Sequence, residues 1–288
     1  MNEARSSGYR RKLDKFDSVL IAREPSLQHA PEPVEIIPLD KPIIRDSVSD
    51  TPSFHPKDIL KLGSQVTRQY ADKAAVVILR RKQTVPWMKW REIEIIKEIL
   101  TRLHPGKCLE WGSGYSTAYF PGFTPADSEW LSVEHDESWL NVVEGLHKKP
   151  GVTLTHVPPD NFPFQDILGE GTRDDLRNYI DYPEREAPFD FVLIDGRARM
   201  ECAARAATIL DPQGVMVMHD VNREMYASMP TAFRHQVVFR DHRSDTGGLF
   251  VCSPGRSLDS ILDIAGHGRL WSLYCALGRT RAGKFLRV

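Results

Sequence analysis

Apolar positions return at helical spacing from Pro56 onward, with Ile59, Leu60, Leu62, Val66 and Tyr70 marking one side of the stretch. A second helix is predicted from Trp90 to Leu103, its apolar face built from Ile93, Ile95, Ile96, Ile99 and Leu100, and Pro105-Gly106 stops it. After that stop, strand-like and helix-like pieces alternate, the sequence sign of a parallel sheet with crossover helices. Strands are expected at Lys107 to Trp111, Trp130 to Glu134, Thr153 to Val157, Asp190 to Asp195 and Gly214 to His219. Two more, His235 to Phe239 and Gly248 to Cys252, stand close enough to pair antiparallel through the turn from Arg240 to Gly247. An alanine-rich helix, Ala198 to Leu210, joins the fourth and fifth strands and leaves through Pro212-Gln213-Gly214. The pattern predicts an α/β fold: a seven-stranded, mostly parallel, doubly wound sheet with a helical N-terminal lead-in.

The chain of 288 residues divides unevenly around that sheet. Residues 1–55 mix charge with Pro25, Pro31, Pro33, Pro38, Pro42 and Pro52 and read as a mobile or loosely docked arm. The sheet and its leading helices occupy 56–253. Residues 254–288 read as a helical extension, with a short helix, then Leu270-Trp271-Ser272-Leu273-Tyr274, then a basic end with no acid after Asp263. With 38 Lys+Arg against 39 Asp+Glu, no bulk field draws the chain onto nucleic acid or an anionic membrane, so neither is an expected partner. No apolar run approaches the roughly 20 residues of a membrane span, and Met1 to Lys12 lacks the pattern of a secretory signal, so a cytoplasmic address is expected. Cys108, Cys202, Cys252 and Cys275 are widely spaced without a CxxC pair, which fits buried reduced thiols.

Ligands of an open parallel sheet bind outside the carboxyl ends of its strands, where strand order reverses. The unusual residues of this chain fall at those ends. The first strand runs into Glu110-Trp111-Gly112-Ser113-Gly114-Tyr115-Ser116-Thr117, in which two glycines one apart permit a tight turn and close approach of a ligand to the backbone. The second ends in Ser132-Val133-Glu134-His135-Asp136, which sets an acid where a ribose diol needs a bidentate acceptor. A dinucleotide site requires a third glycine three residues after the second, and Thr117 stands there instead. Glu110 beside the turn would repel a phosphate but suits a ligand carrying an ammonium and a sulfonium, as S-adenosylmethionine does.

These residues, with Trp139, with Asp190-Phe191-Val192-Leu193-Ile194-Asp195-Gly196-Arg197 and with His219-Asp220, resemble the successive motifs of class I S-adenosylmethionine-dependent methyltransferases. The Asp-Gly-Arg after the fourth strand and the His-Asp after the fifth are similar to a bacterial branch related to plant polysaccharide O-methyltransferases. The resemblance spans roughly Pro86 to Cys252 and includes Pro86-Trp87-Met88 ahead of the second helix. It implies a Rossmann-like sheet with an antiparallel last strand. It also implies that Gly112 and Gly114 pass beneath the methionyl part of the cofactor and that Glu134 holds the ribose. Glu110 would orient the glycine loop or reach the methionyl ammonium. Trp111, Ser113, Ser116, Thr117, His135, Asp195 and Gly196 complete the expected cofactor set, with Ser116 and Thr117 equally suited to capping the next helix.

For transfer to a small-molecule or saccharide hydroxyl, the protein must align the acceptor and remove its proton. His219 is the first choice of base, with Asp195 or Asp220 orienting it or taking the proton. Arg197 and Arg199 could clamp an acidic acceptor such as a uronate. Asp195, Asp220 and Asn222 form an oxygen set that could hold a divalent ion, although a metal is not favoured. Asp160 is a further candidate for the adenine amine, competing with a turn. Three rival functions stand beside this one: a nicotinamide-dependent oxidoreductase, a hydrolase using Ser116, and a non-catalytic binding module that recruits partners through its arm and tail; under any of these readings a homo-oligomer is open.

Overall fold

The computed structural model describes residues 43–46, 55–80, 85–146, 149–164, 166, 169–226, 232–240 and 246–279. All belong to one unit, Pro38–Val288. Most of the expected arm and the basic end after 279 lie outside the described residues.

In chain order the elements are β1 (Ile43–Asp46), α1 (Pro56–Val77), α2 (Trp90–Leu103), β2 (Lys107–Trp111), α3 (Tyr115–Tyr119), β3 (Glu129–Glu134), α4 (Glu137–Glu144) and β4 (Val152–His156). They continue with α5 (Arg177–Asp181), β5 (Phe189–Ile194), α6 (Arg199–Ile209), β6 (Leu210–His219), β7 (His235–Phe239), β8 (Leu249–Ser253) and α7 (Ile264–Arg279). The sheet order is β1-β7-β8-β6-β5-β2-β3-β4, and β8 runs antiparallel to both β6 and β7. All seven expected strands are present, and the last is antiparallel. An eighth, β1, adds in parallel to β7 at the edge, within the reach read as an arm. Four apolar or charged residues after Pro42 show no period long enough to announce a strand; pairing with β7 supplies what the local sequence does not.

Strand interiors alternate between two apolar layers. Val192, Ile194, Met216, Met218, Phe250 and Cys252 pack with Cys202, Ala203 and Ala206 of α6 on one face. On the other, Phe191, Leu193, Val215, Val217, Leu249 and Val251 meet the Ile93–Ile99 stripe of α2 and Trp271 of α7. Both faces are therefore covered, which is why these strands read as continuous apolar runs. The C-terminal segment is one longer helix rather than a short helix with an apolar sequel, because Trp271 and Tyr274 are buried against α2 and stack on the Arg91 guanidinium. The four cysteines are buried and unbridged, and no described helix is long and apolar enough to cross a membrane.

The chain winds outward from β2 through β3 to β4, then returns to the opposite side of β2 for β5 and β6. The reversal lies between β2 and β5, where Trp111 pairs in register with Ile194. Ile96 is fully buried between α2 and the sheet. Truncation in Ile96→Ala is expected to lower the unfolding free energy by about 2–5 kcal/mol, read by urea denaturation.

Candidate active site

Gly112 leaves β2 with φ +93, a conformation open to glycine and strained for other residues. A Cβ on it would sit 2.4 Å from Cα of Gly196, so the loops after β2 and β5 meet backbone to backbone. The missing side chain at Gly112 thus serves contact between loops, where clearance for a ligand was expected. Gly114 differs: its backbone is extended, and an added Cβ would meet only Ser116 Oγ, at 3.6 Å.

Beneath the turn, Glu110 is wholly buried and accepts hydrogen bonds from Ser116, Thr117, Trp130 and Ser132. Burial pushes its carboxyl up to about 7 against the pull of those four donors. Glu110 therefore orients the loop and does not line the cavity. Thr117 accepts from the Gly114 N–H while donating to Glu110, and the Trp111 indole donates to the Tyr179 carbonyl. These three belong to the support of the site: Glu110 and Thr117 take the loop-orienting and helix-start alternatives expected of them, and Trp111 departs from its expected cofactor contact. Ser116 reaches the cavity wall, but its hydroxyl is committed to Glu110. No bond joins it to His219, whose ring nitrogens go elsewhere, so a hydrolase relay is absent among the described residues.

Above the turn lies one cavity of about 500 Å³. It is lined by Gly112, Ser113, Gly114, Glu134, His135, Asp195, Gly196, Arg197, Arg199, His219 and Asp220, together with Pro86, Trp87, Tyr115, Asp136, Trp139 and Thr246. Glu134, almost fully buried at the end of β3, accepts from the backbone N–H groups of Ser113, His135 and Asp136. Only the Ser113 bond falls on Oε2, so that oxygen keeps acceptor capacity for a hydroxyl. The open side of Gly114 and this carboxylate fit a nucleoside with a ribose diol. Asp136 caps α4 by accepting from the Trp139 N–H, and the Trp139 indole donates to the Ser113 carbonyl, fixing the far wall. Asp160 does not join them; its carboxylate accepts from Asn178 and lines a separate depression.

His219 departs from its expected role. Its Nδ1 lies 2.9 Å from Asp195 Oδ1 and its Nε2 3.3 Å from Oε2 of Glu92, a buried residue of α2. Burial alone would lower the imidazole, but the two carboxylates outweigh it and push it up to about 10. Glu92, buried yet facing His219, Lys89 and Arg91, is held well below the usual carboxylate range. With both ring nitrogens donating, the imidazolium cannot accept a proton, which corrects the general-base assignment. Asp195 keeps Oδ2 without a hydrogen bond among the described residues, on a side chain 24% exposed. Asp220, at φ +67, accepts from the Gly247 N–H and Arg223 and lies 3.2 Å from Arg199, so it anchors loops and is not placed to take a proton.

Arg199 is buried and donates to the carbonyls of Gly196 and His219, which removes it from the expected acceptor clamp; Arg197 stays 40% exposed on the cavity wall. Asp195, His219 and Asp220 offer ligand atoms within 4.8 Å of one another. Arg199 lies against Asp195 Oδ1 and Asp220 Oδ2, and Arg223 against the latter, charges that oppose a cation at those oxygens, while Asp195 Oδ2 stays open. Asn222, the third expected ligand, donates to the Thr246 carbonyl. Glu92 was missed because it lies on the apolar helix α2, more than a hundred residues from its partner. Its sequence signal is an acid next to Ile93, inside the stretch that must be buried.

No family model matches the chain, and no curated protein matches it. Among solved structures, it is similar to a methyltransferase-like protein from Silicibacter pomeroyi, with 22% identity, 60% of this chain and 92% of that one covered, and TM-score 0.42. An O-methyltransferase from Bacillus cereus in complex with SAH gives 14%, 66%, 90% and 0.41. Another from Streptomyces achromogenes, in complex with SAM, gives 16%, 70%, 92% and 0.38. These are remote likenesses.

Because His219 gains its proton on folding, its contribution to stability is complete below about 6.5 and fades as pH rises through about 10. Thermal melts across that range should show a falling unfolding free energy in the wild type and a flatter profile in His219→Gln. Parallel profiles would contradict the buried imidazolium.

Proposed function

We propose that this chain is an S-adenosylmethionine-dependent methyltransferase that acts on a hydroxyl oxygen of a small-molecule or saccharide acceptor. The observation that carries the reading is convergence: the Gly112 turn, Glu134, Asp195 and His219, from four different strand ends, line one cavity at the switch point of the sheet. The residues that would hold the cofactor are Gly112, Ser113, Gly114, Glu134 and His135. Glu134 would take the ribose hydroxyls and the glycine loop the methionyl part. When bound, the cofactor supplies a methyl carbon activated by its sulfonium.

The remaining work falls to the chain. The cavity walls align the acceptor oxygen for in-line displacement. Asp195 takes the acceptor's proton on Oδ2 as the oxygen becomes acidic during transfer, since Oδ1 is held by His219 and Arg199. His219 fixes the orientation of that carboxylate and has no proton to accept. A nicotinamide enzyme is disfavoured by Thr117, whose hydroxyl bridges Gly114 and Glu110 where a third glycine would let the helix approach a pyrophosphate.

S-adenosylhomocysteine is expected to raise the melting temperature, and NAD is not. By calorimetry, Glu134→Ala should weaken S-adenosylhomocysteine binding by about 1–3 kcal/mol through lost charge-assisted hydrogen bonds. Wild-type affinity in that variant would contradict the ribose assignment. Asp195→Asn should retain cofactor affinity and lower turnover on a hydroxyl acceptor by about 10²–10⁴-fold; unchanged turnover would remove Asp195 from the proton path.

A further inference from the structure

Away from the cavity, helix α1 turns its charges toward the domain and its apolar side chains outward. Its charged residues are Lys57, Asp58, Lys61, Arg68, Asp72 and Lys73, and at about 100° per residue they all fall within one half of its circumference. The middle of that half packs on the rest of the chain: buried Asp58 accepts from Arg269, buried Gln65 donates to Glu94, and Asp72 accepts from the Trp90 indole. The other half, which holds Ile59, Leu60, Thr67, Tyr70, Ala71 and Val77, carries no charge. Leu60 and Val77 are each 77% exposed, and Ile78 at the C-cap is 74% exposed. With Ile59, Tyr70 and Leu79 they make six of the ten large hydrophobic side chains exposed among the described residues. A helix that faces water has the reverse arrangement, and an apolar patch gathered in this way marks a contact surface.

The charge around the patch points to what it meets. The exposed charged residues of α1 and the turn after it are Lys57, Lys61, Arg68, Lys73 and Arg80, all basic, because both acids of the helix are spent inward. Glu94 matches Lys61 and Arg68, whereas Lys57, Lys73 and Arg80 have no ion pair among the described residues. A second copy of the chain laid on this face would bring like charges together, which disfavours it. A protein groove that receives a helix reads large anchors one turn apart. Here the large side chains stand at the two ends, with Leu60 and Val77 about 26 Å apart along the axis and small residues such as Gly63, Thr67 and Ala71 between them. A bilayer surface has no pockets to fill, takes a convex apolar strip into its acyl boundary and, when anionic, pairs the flanking cations.

We propose that the outer side of α1 docks this chain on an anionic bilayer surface, with Leu60, Tyr70 and Val77 in the acyl boundary and Lys57, Lys73 and Arg80 on the headgroups. Such contact is peripheral and needs no spanning segment. The formal net charge of -1 does not oppose it, since screening confines the field that counts to about 10 Å around the helix. The inference is independent of the methyltransferase reading.

The full chain is mixed with sedimentable vesicles of phosphatidylcholine alone, or of phosphatidylcholine with about one-third phosphatidylserine. Binding to the anionic vesicles is expected to be about tenfold or more tighter and to weaken as salt is raised. Leu60→Ser combined with Val77→Ser should lower that binding about tenfold or more, and so should Lys57→Gln combined with Lys73→Gln. All four side chains are exposed, so the melting temperature of each variant should stay at the wild-type value and show that it is folded. Absence of binding to the anionic vesicles, equal binding to both kinds, or wild-type binding by the variant at Leu60 and Val77 overturns the proposal. A dimer seen by light scattering without vesicles, and dissociated by that same variant, also overturns it, because a second copy then covers the face.

Discussion

At the break in strand order, the backbones of Gly112 and Gly196 touch, and no side chain at either position could fit between them. A Cβ on Gly196 would also strike the Tyr179 hydroxyl at 2.3 Å. This contact draws the loop after β2 onto the loop after β5, continuing a pairing in which the Asp195 N–H donates to the Trp111 carbonyl. Asp195 is thereby set beside the glycine turn, and everything chemical about the cavity follows from that proximity. Glu110 secures the same turn from below with four donors, although burial alone would drive its carboxylate toward neutrality.

The second constraint is electrostatic. Charges withdrawn from water must be paired, and around β5 and β6 they are paired across distant elements. Glu92 comes from α2, His219 from β6, Asp195 from the end of β5 and Arg199 from α6. Glu92 also accepts from the N–H groups of Lys89 and Gly248, so one carboxylate links the helical lead-in, the imidazolium and the start of β8. The network explains why a histidine at a strand end, ordinarily a proton acceptor near neutral pH, orients a neighbouring carboxylate here.

Period and punctuation along the chain were enough to place β2, β7 and α2 at their observed bounds, because long amphipathic or fully apolar runs leave few alternatives. Strand-end acids were legible for the same reason: Glu134 and Asp195 each interrupt an apolar run where the sheet must stop. The edge strand β1 was not, since its hydrogen bonds come from β7, nearly two hundred residues away. Nor was the single length of α7, which packing of Trp271 decides.

What the sequence by itself determined is the doubly wound sheet, its antiparallel last strand and the edge at which its polar residues emerge, consequences of local hydrophobic periodicity and of the short spacing between the last two strands. The tertiary structure alone decided which of those residues keep hydrogen-bonding capacity. It left Asp195 Oδ2 and Arg197 without hydrogen bonds from the described residues and closed off His219, Arg199 and Thr117. The reason is that a side chain's protonation and its remaining hydrogen-bonding capacity depend on groups brought near by folding, and Glu92 stands 127 residues from the histidine it governs.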